Sequence, residues 1–140
     1  MYLVDTNVIS ELRKKARADS GVINFFKQAK LEKKPTYISV ITLGELRHGV
    51  DLIRYRGDNP QADTLEKWLQ NIIENYSENI LNFSSQEAQV WGHLRVPHPE
   101  NALDKQIAAT ALTHGLTLVT RNTRDFKGCG VRVFNPFEDG

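Results

Sequence analysis

The sequence predicts an α/β domain with about five strands in a mostly parallel sheet and helices on both faces. Three observations carry that expectation. Short β-branched or aromatic runs, at 2–4, 37–40 and 116–120, alternate with longer stretches whose apolar residues recur at helical spacing. The 140 residues suit one core, since single cores typically serve chains of about 100 to 200 residues. No internal repeat or biased segment divides the chain, so residues 1–140 are expected to form one domain.

Residues 2–4 read as a short buried strand, and Thr6-Asn7 supplies capping chemistry for a helix through Ile9, Leu12 and Arg13. A second helix over 22–30 presents Val22, Ile23, Phe25 and Phe26, and Pro35 bars any continuation. The stretch 37–40 is β-branched and aromatic enough for a strand, with helix following over 42–54. Residues 55–60 form the clearest loop, and the Arg56-Gly57-Asp58 triplet within it reads as turn chemistry rather than as an adhesion motif. Leu65, Trp68, Leu69, Ile72 and Ile73 mark an amphipathic helix ending near Tyr76. Ile80, Leu81 and Phe83 suggest another strand. Ser84 can cap a helix containing Ala88, Val90, Trp91 and Leu94, which Pro97-His98-Pro99 ends. The last unit is a helix over 103–114 with Gly115 as its C-cap, a strand over 116–120, a polar loop, and a strand over 131–134.

A net charge of +1 exerts no global pull on a polyanion, so nucleic-acid binding would need local basic patches or a bound metal. Arg13, Lys14, Lys15 and Arg17 form one patch and Lys30, Lys33 and Lys34 another; both also suit solvated helix ends. The single Cys129, in a Gly128-Cys129-Gly130 turn, cannot form an intramolecular disulfide, which points to a reducing compartment. No apolar run approaches the roughly 18 residues of a membrane span, and the first residues read as a strand rather than a leader. A cytoplasmic protein without membrane association is expected.

Four carboxylates fall where strand or helix patterns start or stop. Asp5 ends the first apolar run, Glu45 and Asp104 lie at helical openings, and Asp125 follows the run 116–120. Parallel sheets bind ligands outside the carboxyl ends of their strands, so distant acids can meet there. Each acid also has a structural account. Asp5 can cap the first helix, Thr42-x-x-Glu45 fits a capping box, and Asn101-x-x-Asp104 places an acid in a first helical turn. Packed together, however, carboxylates raise one another's pKa and need compensation, most simply by a divalent cation. Oxygen-only donors favour Mg²⁺ or Mn²⁺ over zinc. The Glu45-x-x-His48 pair matches one half of a di-iron element that needs two copies, which leaves His48 on a helix surface or in a supporting role. His93, His98 and His114 show no ligand spacing, and Glu11 fits an ordinary ion pair with Lys15.

The segments 1–12 (MYLVDTNVISEL), 38–46 (ISVITLGEL), 104–111 (DKQIAATA) and 118–126 (LVTRNTRDF) together resemble the PIN-domain family, and within it toxins of the VapC and FitB type. That resemblance spans nearly the whole chain in order. It implies a metal-dependent endoribonuclease, usually a homodimer, encoded beside an antitoxin that blocks its site. Asp5, Glu45 and Asp104 match the family's three central acids. Its fourth acidic position falls in the loop 120–125, where Asp125 and Asn122 are both candidates. Thr6 and Thr120 resemble hydroxyl residues that orient ligands or waters, although capping and strand termination explain them too. The resemblance implies RNA as substrate and Mg²⁺ or Mn²⁺ as cofactor, with Arg13, Lys14, Lys15 and Arg47 as the cations nearest to expectation for RNA. A haloacid dehalogenase-like enzyme would need an Asp where Asn7 stands, and no Gly-x-x-x-x-Gly-Lys loop occurs. The alternative is a catalytically silent module of the same fold, acting through its complex with antitoxin and DNA.

Overall fold

The computed structural model describes residues 1–138. Five parallel strands form one sheet in the order β3-β2-β1-β4-β5. They are β1 (Tyr2–Val4), β2 (Thr36–Ser39), β3 (Ile80–Leu81), β4 (Thr117–Val119) and β5 (Val133–Phe134). Six helices connect and cover them: α1 (Thr6–Glu11), α2 (Ser20–Leu31), α3 (Val40–Tyr55), α4 (Asn59–Asn75), α5 (Ser85–Leu94) and α6 (Ala102–His114). The sheet among the described residues is thus wholly rather than mostly parallel.

Neighbouring strand residues point to opposite faces, and that alternation splits the core in two. Val4 and Val119 join Val8, Ile9, Val22, Ile38, Leu46 and Leu69 on one side. Leu3 and Leu118 join Ile107, Ala108, Ala111 and Phe126 on the other. The small residues Ala108 and Ala111 let α6 approach the sheet closely, while the α3–α4 hairpin fills the opposite face with bulkier side chains. Each fully buried Leu, Ile or Val contributes about 1.5–3 kcal/mol of transfer free energy.

Several boundaries differ from the sequence pattern, for reasons visible in the caps. Val40 starts α3 rather than ending β2, because the Ser39 hydroxyl accepts a hydrogen bond from the Ile41 N–H at 3.0 Å. Thr42 and Glu45 therefore lie inside the helix and form no capping box. The loop at 55–60 shrinks to three residues, since α3 reaches Tyr55 and Asp58 caps α4. Phe83 lies outside β3 and packs edge-on against Trp91. Helix α1 stops at Glu11 and continues as a 3-10 segment, Leu12–Arg17, in which Lys15 takes a positive φ of 55°. The expected cap at Ser84 is present as a full capping box with Glu87. No helix among the described residues is long and apolar enough to cross a membrane.

Gly21, near the start of α2, marks a close approach. A Cβ there would meet the Pro136 carbonyl oxygen at 2.1 Å. In the same corner Asp19 Oδ1 accepts from the Gly21, Val22 and Glu138 N–H groups, tying the segment after β5 to the helix start. Gly21→Ala, normally favourable in a helix, is therefore expected to cost about 2 kcal/mol. Urea unfolding with an unchanged m-value would report that loss, and an unchanged midpoint would contradict the close approach.

Candidate active site

Asp5 is placed by β1. Its N–H donates to the Val119 carbonyl at 2.9 Å, so the parallel pairing with β4 persists to the last residue before α1. The backbone then turns (φ −72°, ψ 161°), and Asp5 becomes the N-cap of α1, with Oδ1 accepting from the Thr6 N–H at 2.8 Å. Its other oxygen accepts from the buried Thr120 hydroxyl at 2.8 Å. Asp5 thus caps a helix and also sits 4% exposed at the carboxyl edge of the central strands.

Asn7 locks this corner. Its amide nitrogen lies 3.4 Å from Asp5 Oδ2 and 3.3 Å from Thr120 Oγ1, and its oxygen accepts from the Arg121 N–H at 3.1 Å. The Asn122 N–H donates to Thr120 Oγ1 at 3.1 Å. The Thr120 hydroxyl therefore donates once, to Asp5, and accepts from two nitrogens. Thr120→Val removes the shortest bond to Asp5 Oδ2, leaves the Asn122 N–H without this acceptor, and leaves the Asn7 amide with only its longer contact to Asp5. It is expected to cost about 2 kcal/mol, and Thr120→Ser to recover most of this in the same denaturation series.

Glu45 projects from α3 toward α1, where Thr6 Oγ1 donates to its Oε1 at 2.7 Å. The fully buried Thr42 hydroxyl lies 3.1 Å from Thr6 Oγ1. Thr6 has one hydroxyl hydrogen, and the carboxylate requires it, so Thr42 donates to Thr6 in a short relay. Asp104 stands in the first turn of α6. Asp125 is carried on a 3-10 turn, Thr123–Phe126, pinned by buried Phe126.

These four acids share one electrostatic neighbourhood. Burial first, then the charges of Asp5, Asp125 and Glu45, push the Asp104 carboxyl up to about 6. Burial also raises Asp5, with Glu45 adding to it, against hydrogen bonds from Thr120, Thr6 and Asn7 that favour the ionised form. Asp125 acts on Asp104 through its charge, whereas Asn122 enters through its backbone N–H. Among the described residues, no three Asp, Glu, His or Cys side chains already clasp a common point. The acids influence one another without forming a closed cage: Glu45 is turned onto Thr6 and Asp5 onto Thr120. The donor set suits a hard divalent cation: all its donors are oxygen, and burial, with neighbouring carboxylates adding to it, already raises the proton affinity of two members.

The family model of the PIN domain matches residues 2–129. The chain belongs to the PIN domain family. Toxin FitB of Neisseria gonorrhoeae is 37% identical, over 99% of this chain and 100% of its own length. The crystal structure of FitAcB from the same organism superposes with a TM-score of 0.82, at 35% identity, covering 97% of this chain and 98% of that one. A VapC ribonuclease, Y4jK, of Sinorhizobium fredii is 30% identical over 99% of both chains. A toxin-antitoxin complex from Klebsiella pneumoniae aligns with a TM-score of 0.67 at 33% identity, covering 99% of each chain. This PIN domain is therefore of the VapC and FitB toxin type.

Two cations expected to face a substrate are otherwise engaged. Arg47 forms a bidentate pair with Glu66 at 2.6 and 2.8 Å and a third bond to Asp51 at 3.2 Å. Lys14 pairs with Glu11 at 2.9 Å, displacing the expected Lys15 partner. Glu11 also accepts from the Asp19 N–H at 2.8 Å, which makes it a clamp on the chain rather than a site residue. His48 is exposed on α3 beside a cleft of about 640 Å³ that Thr6, Glu45 and Leu103 also line.

Two residues beside the acids, Asn7 and Thr42, and one that holds the loop before α6, Lys105, have roles that the sequence did not signal. Asn7 follows Asp5 by two positions and signals its role only once β4 lies alongside. Thr42 looked like a helix cap. Lys105 is buried beside Asp104, and its Nζ donates to the His98 carbonyl, holding the loop before α6. No local pattern distinguishes it from a surface lysine.

Proposed function

We propose that this protein is a Mg²⁺- or Mn²⁺-dependent endoribonuclease, the toxin of a toxin–antitoxin pair, acting in the cytoplasm. The observation that supports the reading is that Asp104 feels the charges of Asp5, Asp125 and Glu45, so that carboxylates from four separate elements lie within electrostatic reach of one another. Crowding of that kind is costly without a counter-charge. The ribonuclease named among the relatives and the toxin-antitoxin complex among the structural neighbours support RNA as the substrate class and an antitoxin as the partner class.

Asp5, Glu45 and Asp104 would hold the ion, with Asp125 at the rim. When bound there, a divalent cation lowers the pKa of a coordinated water and neutralises charge on a phosphodiester. The chain's own residues set the frame. Thr120 and Asn7 fix the plane of the Asp5 carboxylate, and Thr6, backed by Thr42, orients Glu45. Asp104 and Asp125 add negative charge from α6 and the 3-10 turn after β4. Pairing as a homodimer and inhibition by a cognate antitoxin belong to the same reading.

The direct test incubates the purified protein with total RNA in Mg²⁺, in Mn²⁺ and in EDTA, then sequences new 5′ ends. Discrete ends that need a divalent ion are expected. Ends that persist in EDTA would overturn the metal dependence, and an absence of ends in every condition would overturn the nuclease. Calorimetric titration with Mn²⁺ should show binding to the wild type that Asp5→Asn removes.

A further inference from the structure

A groove runs from Glu45 between α1 and the α3–α4 hairpin. It starts at Thr6 and Glu45, encloses about 270 Å³, and passes Arg13 and Arg56 to Trp68. There it joins a second hollow of about 380 Å³, which adds Lys15, Lys67 and Asn71 to its walls. Arg13, Leu65 and Trp68 line both hollows, so the path is continuous from Glu45 to the far end of the hairpin.

Cations on this face divide into two sets. Arg47 and Arg54 are neutralised by Glu66, Asp51 and Asp63 and brace the hairpin. Arg13, Lys15, Arg56 and Lys67 are exposed and form no ion pair or hydrogen bond among the described residues. Four cations without counter-charges along one groove, in a chain whose net charge is only +1, are a local device for an anionic ligand. Trp68 supplies what a simple phosphate patch lacks. It packs its inner side on the core while remaining partly exposed in both hollows, giving an aromatic surface between cations.

We propose that this groove is a single-stranded RNA track on one side of the scissile bond, with Trp68 stacking under a base and the four cations meeting phosphates. The proposal rests on the nuclease reading and deepens it. Alternating cation and aromatic contacts are the usual means of holding a single strand without reading its sequence, because every base has a π-face. The groove also contains apolar side chains, Val50 and Leu65 among them, which would suit a partner helix; its unpaired cations favour the polyanion.

The test measures cleavage and fluorescence anisotropy with an unstructured, fluorescein-labelled RNA of a dozen nucleotides, in Mg²⁺ at several salt concentrations. Arg56→Gln/Lys67→Gln changes only exposed side chains. It is expected to raise KM at least ten-fold with kcat held within two-fold, and to reduce the slope of log affinity against log salt by about 1.4, for two single-strand phosphate contacts. Trp68→Leu should raise KM about ten-fold and Trp68→Phe much less, with melting curves confirming the fold. Wild-type KM and salt slope in variants that still cleave would overturn the track. So would an unchanged KM joined to lost copurification with the product of the neighbouring reading frame, which would assign the groove to a protein partner. If the wild type binds the oligonucleotide through these residues without cutting it, the track stands and the nuclease reading falls; if it neither binds nor cuts, both fall.

Discussion

Asp5→Asn is expected to lower the single-turnover rate of RNA cleavage by at least about a thousand-fold while moving the melting temperature by only a few degrees. The two halves of that expectation come from different atoms. Oδ1 caps α1 through the Thr6 N–H, and an asparagine oxygen can do the same. Oδ2 faces Thr120, and there the substitution replaces a charged acceptor with an NH₂ group. Since burial already disfavours the ionised Asp5, its neutral isostere relieves part of the folding cost that the lost hydrogen bond imposes. Activity has no such offset, because an NH₂ group cannot ligate a cation. Rapid-quench cleavage and thermal melts on one preparation check both parts. A variant cutting within ten-fold of the wild type would remove Asp5 from the chemistry, and one that fails to fold would make it chiefly a structural cap.

The architecture was legible because its signals are local. The apolar run before Asp5, the Ser84 to Glu87 capping box and Gly115 after α6 each determine their element within a few residues. The cap at Asp5 followed from it: a carboxylate at the end of a central parallel strand stands where the next helix begins, and here its Oδ1 accepts from the Thr6 N–H. What stayed hidden depends on pairing between distant segments. Ser39 competes with Thr42 to cap α3, and Ser39 wins because β2 ends there and leaves its hydroxyl beside the Ile41 N–H. Arg47 looked like a substrate cation until α4 folded back and brought Glu66 against it; the same contact holds Glu66 down to about 2. Arg56 drew notice only as part of a turn, yet it lines the groove that runs from Glu45. Charge on one strand of sequence is readable; whether it is already spent on a neighbour is a property of the packing.

Asp104→Asn is expected to move stability and activity in opposite directions. In EDTA the native carboxyl titrates near 6, against an ordinary value of 3.8, so the folded state binds more protons than the unfolded state between those limits. Stability conferred by neutralising this group is complete below about 4 and lost as pH rises through about 6. At pH 7.5 the ionised Asp104 therefore destabilises the metal-free fold. After allowance for solvent screening at a partly exposed position, the cost is about 1 kcal/mol, or about 4 °C in melting temperature. Asp104→Asn should recover that increment at pH 7.5, gain little at pH 4.5, and lose about a hundred-fold or more in cleavage. Adding Mn²⁺ should stabilise the wild type by mass action and erase the advantage of the variant. An acid serving only the dipole at the start of α6 predicts the reverse sign, since neutralising it would cost a few tenths to 1 kcal/mol at neutral pH. Melts of the two proteins in EDTA at pH 4.5 and 7.5 thus separate a helix-start acid from one held against three other carboxylates, and a less stable Asp104→Asn at pH 7.5 would rule out the second.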